Sequence, residues 1–110
     1  MIKIEVVLDK DGILKSCKAT GHAGAGKKGS DIVCAAVSVL LRTTLITLSN
    51  REGINIKSEA PKPGELKLET SALQEGKSFL YAISVFLLEG LKSIEQEFPK
   101  NIELKMIRRN

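Results

Sequence analysis

The chain is poor in aromatic residues, in histidine and in cysteine. Aromatic residues make up 4% of its 110 residues and tryptophan is absent, so the hydrophobic core must be built from Ile, Leu, Val and Ala. There is one histidine, and the two cysteines, Cys17 and Cys34, are too few for a disulfide framework or a cysteine-rich metal site. The sequence therefore predicts neither a bound metal nor a cofactor.

Long hydrophobic runs and a strong excess of one charge are also missing. The N-terminus alternates like a strand and has no apolar signal-peptide core, and the longest apolar stretches contain polar residues before they reach the length of a membrane span. The net charge of +4 suits acidic surroundings such as RNA, but it is too small to demonstrate nucleic-acid binding. We expect one domain, residues 1–110, in the cytoplasm with reduced thiols and without a membrane partner.

Hydrophobic periodicity indicates five strands and two helices. Alternation of period two predicts strands over residues 2–8, 13–20, 54–59, 65–70 and 102–106. Residues 31–50 are apolar almost all round, which is typical of a mostly buried helix, and residues 74–97 carry a helical apolar stripe that ends before Pro99. On the far side of this second helix, Tyr81, Val85 and Leu88 are either a dimer patch or scattered surface residues.

The order of these elements, β-β-α-β-β-α-β, defines the fold class. Strands with one apolar and one polar face are typical of a sheet covered on one side. The prediction is an α+β fold: a two-layer sandwich with a mostly antiparallel five-stranded sheet and two helices on one face.

The residues that carry chemistry lie between the second strand and the first helix. His22 is followed by a glycine-rich segment up to residue 30, and Cys34 comes soon after the predicted start of the helix. A thiol and an imidazole are the minimum equipment of a cysteine protease, because the thiolate attacks a carbonyl while the imidazole removes and returns a proton. A helix N-terminus favours a thiolate, and its free N–H groups are candidates for an oxyanion hole.

Three further sets of residues accompany this candidate pair. Asp31 either orients His22 or, like Ser30, caps the helix. Ser38 shares a helix face with Asp31 and Cys34 and is either a supporting residue or bonded back to the preceding turn. The glycines of the loop are expected to form a flexible cover over an extended peptide: Gly24, Gly26 and Gly29.

The same loop also matches two nucleotide-binding patterns incompletely. Residues 24–29 (GAGKKG) fit the dinucleotide fingerprint, but the preceding strand belongs to a hairpin rather than a parallel βαβ unit. Residues 21–28 (GHAGAGKK) approach a Walker A motif, but Lys28 replaces the Ser or Thr that would bind Mg²⁺.

Residues 21–23 (GHA), Gly29 and residues 31–38 (DIVCAAVS) closely resemble the ribosomal-processing cysteine protease family, Prp. The resemblance covers the whole chain and maps the family's nucleophile onto Cys34, its catalytic histidine onto His22, and its recurring Asp and Ser onto Asp31 and Ser38. It implies an endopeptidase that removes the N-terminal extension of a large-subunit ribosomal protein (the twenty-seventh of the set), and it implies a homodimer. Lys27 and Lys28 stand where family loops often carry an acidic and an aromatic residue, so the cleavage preference is open.

A different class of function remains as the alternative. A non-enzymatic, ribosome-associated module that binds RNA or protein would use the basic residues Lys27, Lys28, Arg108 and Arg109 on phosphate groups. In such a protein Cys34 would be dispensable.

Overall fold

The elements follow one another in the predicted order. The structure is a computed structural model, and it describes residues 1–21 and 28–110, with the backbone alone for residues 28–31. A short 3₁₀ turn, Gln74–Gly76, precedes the second helix. The bounds are β1 (Ile2–Leu8), β2 (Leu14–Thr20), α1 (Lys28–Ser49), β3 (Ile54–Glu59), β4 (Glu65–Ala72), α2 (Lys77–Glu97) and β5 (Ile102–Arg108).

The five strands form one sheet in the order β3-β4-β2-β1-β5. The pairings β1–β2, β2–β4 and β3–β4 are antiparallel, as predicted, whereas β1 and β5 are parallel. The sheet is therefore mixed. The parallel pair follows from the connection between β4 and β5, because α2 crosses the sheet and returns the chain beside β1 in the same direction.

Both helices cover the same face of the sheet, and the alternation of the strands places apolar side chains on that face. Ile4 pairs with Ala19, Val6 with Cys17, and Cys17 in turn with Leu68. All five of these side chains are buried and belong to one hydrophobic core. The alternate residues of the central strands form the opposite face, which carries charges of both signs: Glu5 pairs with Lys18, and Lys18 pairs in turn with Lys67.

One polar side chain is fully buried between the two layers. Ser84 of α2 accepts a hydrogen bond from the backbone N–H of Leu14 at 2.9 Å and donates one to the carbonyl of Leu80 at 2.6 Å. The hydroxyl thus satisfies the first N–H of β2 and ties α2 to the sheet. On the far side of α2, Leu88 is buried in the core, so the proposed patch is reduced to Tyr81 and Val85.

The prediction that α1 is mostly buried is wrong. Only 28% of the stretch Ile32–Ser49 is buried, and Ile32, Val39 and Ile46 keep 50%, 51% and 57% of their surface exposed. This stretch is also long and apolar enough to cross a membrane by length and composition alone, contrary to the expectation from the sequence. Its inner side packs on the sheet through Val33, Val37, Leu41 and Leu48, as expected of the core helix of a two-layer fold.

Candidate active site

Cys34 lies in the second turn of α1, whereas the sequence predicted it in or just after the first turn of a helix beginning near residue 31. The helix begins at Lys28, so Ser30 and Asp31 belong to its first turn and neither is the N-cap residue. The sequence predicted a later start because residues 28 and 29 belong to a glycine-rich stretch, whereas both residues are helical in the structure. The capping role predicted for Asp31 is thereby removed, and its orienting role stays a prediction.

The position of Cys34 changes the electrostatic argument. The field of a helix dipole falls off within the first turn, and only the first four N–H groups of a helix lack an intrahelical partner. Cys34 is the seventh residue of α1, so its own N–H is not one of these groups. Any oxyanion hole at this helix end would use the N–H groups of residues 28–31.

A cavity of about 210 Å³ lies beside Cys34, between α1 and the adjoining ends of β2 and β4. Cys34 is half-buried and forms part of the cavity wall. The walls come from three strands and one helix: Ile2, Ala19, Thr20, Gly21, Cys34, Val37, Ser38, Leu41, Gly64, Glu65 and Leu66. Most of the walls are apolar, with the carboxylate of Glu65 and the hydroxyls of Thr20 and Ser38 as polar groups.

The structure brings some of the predicted site residues together and does not describe others. Ser38 lines the same cavity as Cys34, one turn further along α1, which confirms that the two share a helix face. His22, Gly24 and Gly26 lie outside the described residues, as does the side chain of Asp31. Gly29 is helical and is therefore not part of the loop to which it was assigned.

Gly21, the residue directly before the only histidine, is itself part of the cavity wall. The segment that carries His22 therefore leaves the sheet beside the cavity that holds Cys34. The sequence could not reveal the part of the wall formed by residues 64–66, because it depends on the non-local pairing of β4 with β2.

The second cysteine has none of these properties. Cys17 is fully buried in the core, and burial raises the pKa of its thiol to about 12. Both cysteines are free. Cys17 is thus the buried, unreactive thiol and Cys34 is the accessible one.

Of the basic residues of the alternative function, Arg108 and Arg109 lie far from this site. The backbone N–H of Arg109 donates to the carbonyl of Leu8 at 2.8 Å, so Arg108 and Arg109 lie at the Leu8 end of β1. Gly21 lies at the other end, beside Ile2, which is about 20 Å away along a seven-residue strand. Lys27 and the side chain of Lys28 lie outside the described residues.

Comparison with known proteins identifies the family to which the chain belongs. The family model of cysteine protease Prp matches residues 1–103. The ribosomal processing cysteine protease Prp of Staphylococcus aureus is 28% identical over 108 residues, which covers 94% of this chain and 97% of the relative. The Prp protein of Mycoplasma pneumoniae is 31% identical over 87 residues, 79% of this chain and 82% of the relative.

Solved structures show the same fold. The crystal structure of SMU.848 from Streptococcus mutans matches with a TM-score of 0.82 and 28% identity, covering 99% of this chain and 96% of that one. The crystal structure of Prp from S. aureus in complex with a substrate peptide matches with a TM-score of 0.81 and 22% identity, over 96% and 99% of the two chains. The chain belongs to the Prp family of ribosomal processing cysteine proteases.

Proposed function

We propose that this protein is a cysteine endopeptidase in which Cys34 is the nucleophile and His22 is the general base and acid. The observation that carries the proposal is that Cys34 and Gly21 line one cavity. The thiol that faces this cavity is thus close to the point where the segment bearing the only histidine leaves the sheet. Family membership supports the same pair.

The reaction proceeds through a thioester. His22 accepts the proton of the Cys34 thiol as the sulfur attacks the scissile carbonyl, and it then donates this proton to the leaving amine when the C–N bond breaks. Water next attacks the thioester while His22 accepts its proton. The new carboxyl terminus is released and the proton returns to the sulfur, so the enzyme ends in its initial state.

The proposed substrate is the N-terminally extended large-subunit ribosomal protein, the twenty-seventh of the set. The name of the S. aureus relative and its structure with a substrate peptide support a ribosomal substrate. The cavity fits this role, because about 210 Å³ is below the usual volume of small-molecule sites and is suited to one or two side chains of an extended peptide. Its walls favour an apolar side chain beside the scissile bond, with Ile2, Val37, Leu41 and Leu66 as the contacts.

The test is incubation of the protein with the extended ribosomal protein, followed by mass measurement of the product. We expect one cut, and we expect Cys34→Ala and His22→Ala to abolish it while far-UV circular dichroism stays unchanged. Cys17→Ala is the matched control and should retain cleavage, because the buried thiol does not reach the cavity. Cleavage by the Cys34→Ala variant would refute the proposal.

The supporting roles of Asp31 and Ser38 can be separated by conservative variants. If Asp31 orients the imidazole, Asp31→Asn should lower kcat while KM changes little, since the charge that holds His22 in position is lost. Ser38 lines the cavity, so Ser38→Ala should act mainly on KM. Unchanged kinetics in both variants would leave only Cys34 and His22 in the catalytic machinery.

We also propose that the protein is a homodimer, as the resemblance to the family implies. The exposed apolar stripe of α1 fits this role, because Ile32, Val39 and Ile46 recur every seven residues over about 21 Å of helix. Val39 lies midway between the two isoleucines. A two-fold axis through Val39 would therefore place Ile32 of one α1 on Ile46 of the other, which is the self-complementarity that a symmetric dimer requires.

The dimer proposal is tested by analytical ultracentrifugation. We expect Val39→Glu to dissociate the dimer, whereas Val85→Glu, on an exposed valine of α2 outside the stripe, should leave it intact. A native protein that sediments as a monomer would overturn the proposal. Loss of lipid-vesicle binding in Val39→Glu would then assign the stripe to a membrane.

We also propose that the protein is cytoplasmic and that it associates with the ribosome. Free thiols agree with a reducing compartment. Co-sedimentation of the Cys34→Ala variant with large ribosomal subunits that carry the extended protein is expected, and its absence would limit the enzyme to the free precursor.

A further inference from the structure

Gly21 occupies a backbone position that only glycine can take. Its φ is +123°, in the region that L-residues avoid. A Cβ atom added there would collide with the backbone oxygen of Met1 and would lie 3.1 Å from the Cα of Ile2. These neighbours are backbone atoms at the start of β1, so they cannot move aside as a flexible side chain would.

The same residue is bonded to the turn between β3 and β4. The N–H of Gly21 donates to the carbonyl of Gly64 at 3.0 Å, one position beyond the last pair of the β2–β4 ladder, Thr20–Glu65. The turn itself is tightly defined, since the N–H of Glu65 donates to the carbonyl of Lys62 at 3.1 Å and Gly64 has a φ of +80°. Proline at the second position and a positive φ at the third are the features of a type II turn.

Both partners of this hydrogen bond line the cavity that holds Cys34. Gly21 is followed directly by His22, and consecutive Cα atoms are about 3.8 Å apart. The contact between Gly21 and Gly64, together with the close approach to Met1, therefore fixes the backbone position directly before His22 at the cavity wall.

We propose that the Gly21–Gly64 contact is a positioning device for His22. The two glycines do not touch the reacting atoms. They hold the backbone of Gly21, the residue directly before His22, at the wall of the cavity that Cys34 also lines. The inference rests on the proposed pair of Cys34 and His22, and it adds that the β3–β4 turn, distant in sequence, sets their geometry.

The test measures how fast iodoacetamide alkylates Cys34 near neutral pH, in Gly21→Ala and Gly64→Ala, each with and without His22→Ala. Gly12→Ala is the matched control, because Gly12 also has a positive φ, +83°, but lies between β1 and β2 at the other end of the sheet. Its Cβ would meet only side-chain atoms, at 3.6 Å and beyond. Thermal unfolding and circular dichroism of each variant distinguish a loss of fold from a changed position of His22 relative to Cys34. If Gly21→Ala does not fold, Gly64→Ala serves as the test variant.

We expect each cavity glycine variant to slow alkylation about tenfold or more when His22 is present and by less than about twofold when His22 is already alanine. The pH profile of alkylation should move toward that of His22→Ala, whereas Gly12→Ala should keep the native profile. Equal slowing in both backgrounds, or none in either, would overturn the inference while the pair itself stands. If His22→Ala alone leaves alkylation unchanged, the proposed pair and this inference both fail.

Discussion

The two thiols of this protein should differ in reactivity by a factor that the structure defines. Cys17 is fully buried, and burial raises its pKa from 9.0 to about 12. Each pH unit is a tenfold change in the thiolate fraction, so at neutral pH Cys17 has about a thousandfold less thiolate than an ordinary cysteine. Alkylating reagents react with the thiolate and must also reach the sulfur through the core, so Cys17 should be labelled about a thousandfold more slowly than an ordinary exposed cysteine.

Intact-mass measurement during reaction with iodoacetamide tests this difference. The native protein should take up one adduct quickly and a second one only on unfolding. Cys17→Ala should keep the fast adduct, and Cys34→Ala should lose it. In denaturing urea both thiols should react at similar rates, which controls for the reagent. Comparable labelling of the two cysteines in the native state would show that the core around Cys17 opens freely, and would remove the basis for assigning Cys34 as the accessible thiol.

Three further predictions concern stability. Ser84→Ala should lower the free energy of unfolding by about 1–3 kcal/mol in a urea titration, because the buried N–H of Leu14 loses its acceptor. Gly76→Ala should cost a similar amount, about 1–3 kcal/mol, since its Cβ would lie 2.5 Å from the carbonyl oxygen of Gly53. Cys17 has a raised pKa in the folded state, so the protonated thiol stabilises the fold. This contribution to the free energy of unfolding is complete below pH 9.0 and is lost as the pH rises toward about 12, by up to about 1.4 kcal/mol per pH unit. In Cys17→Ala the free energy of unfolding should therefore fall less between pH 9 and 12 than in the native protein. The same pH dependence in variant and native protein would contradict the raised pKa of Cys17.

The strands could be predicted because each has one solvent-exposed polar face and one buried apolar face. In β1, Lys3 and Glu5 alternate with Ile2, Ile4 and Val6, and the exposed and buried positions of the structure follow that alternation. The second helix was also readable, because most of its apolar stripe faces the core, as Leu80, Leu87 and Leu91 do, although Phe86 keeps 67% of its surface exposed. Local patterns suffice where burial repeats with the period of the backbone.

The pairing partners could not be predicted from the same patterns. Alternation looks identical in parallel and antiparallel strands, so nothing in residues 102–106 indicated that β5 runs parallel to β1. The wall of the cavity at Gly64 depends on the pairing of β4 with β2, which joins residues almost fifty positions apart. The cavity could not be predicted because it depends on how distant strands pair, whereas Cys34, which lines the cavity, was singled out from the sequence alone.

The first helix shows where hydropathy alone misleads. A run of apolar residues indicates that side chains prefer to leave water, but it does not indicate what covers them. In α1 the apolar residues lie on opposite sides: Val37 and Leu41 pack on the sheet, whereas Val39 and Ile46 remain half-exposed. Between these two sides lies the flank with Cys34. One helix therefore carries core residues, the proposed nucleophile and an uncovered apolar stripe, and a substitution in the stripe can test assembly without touching either the core or the thiol.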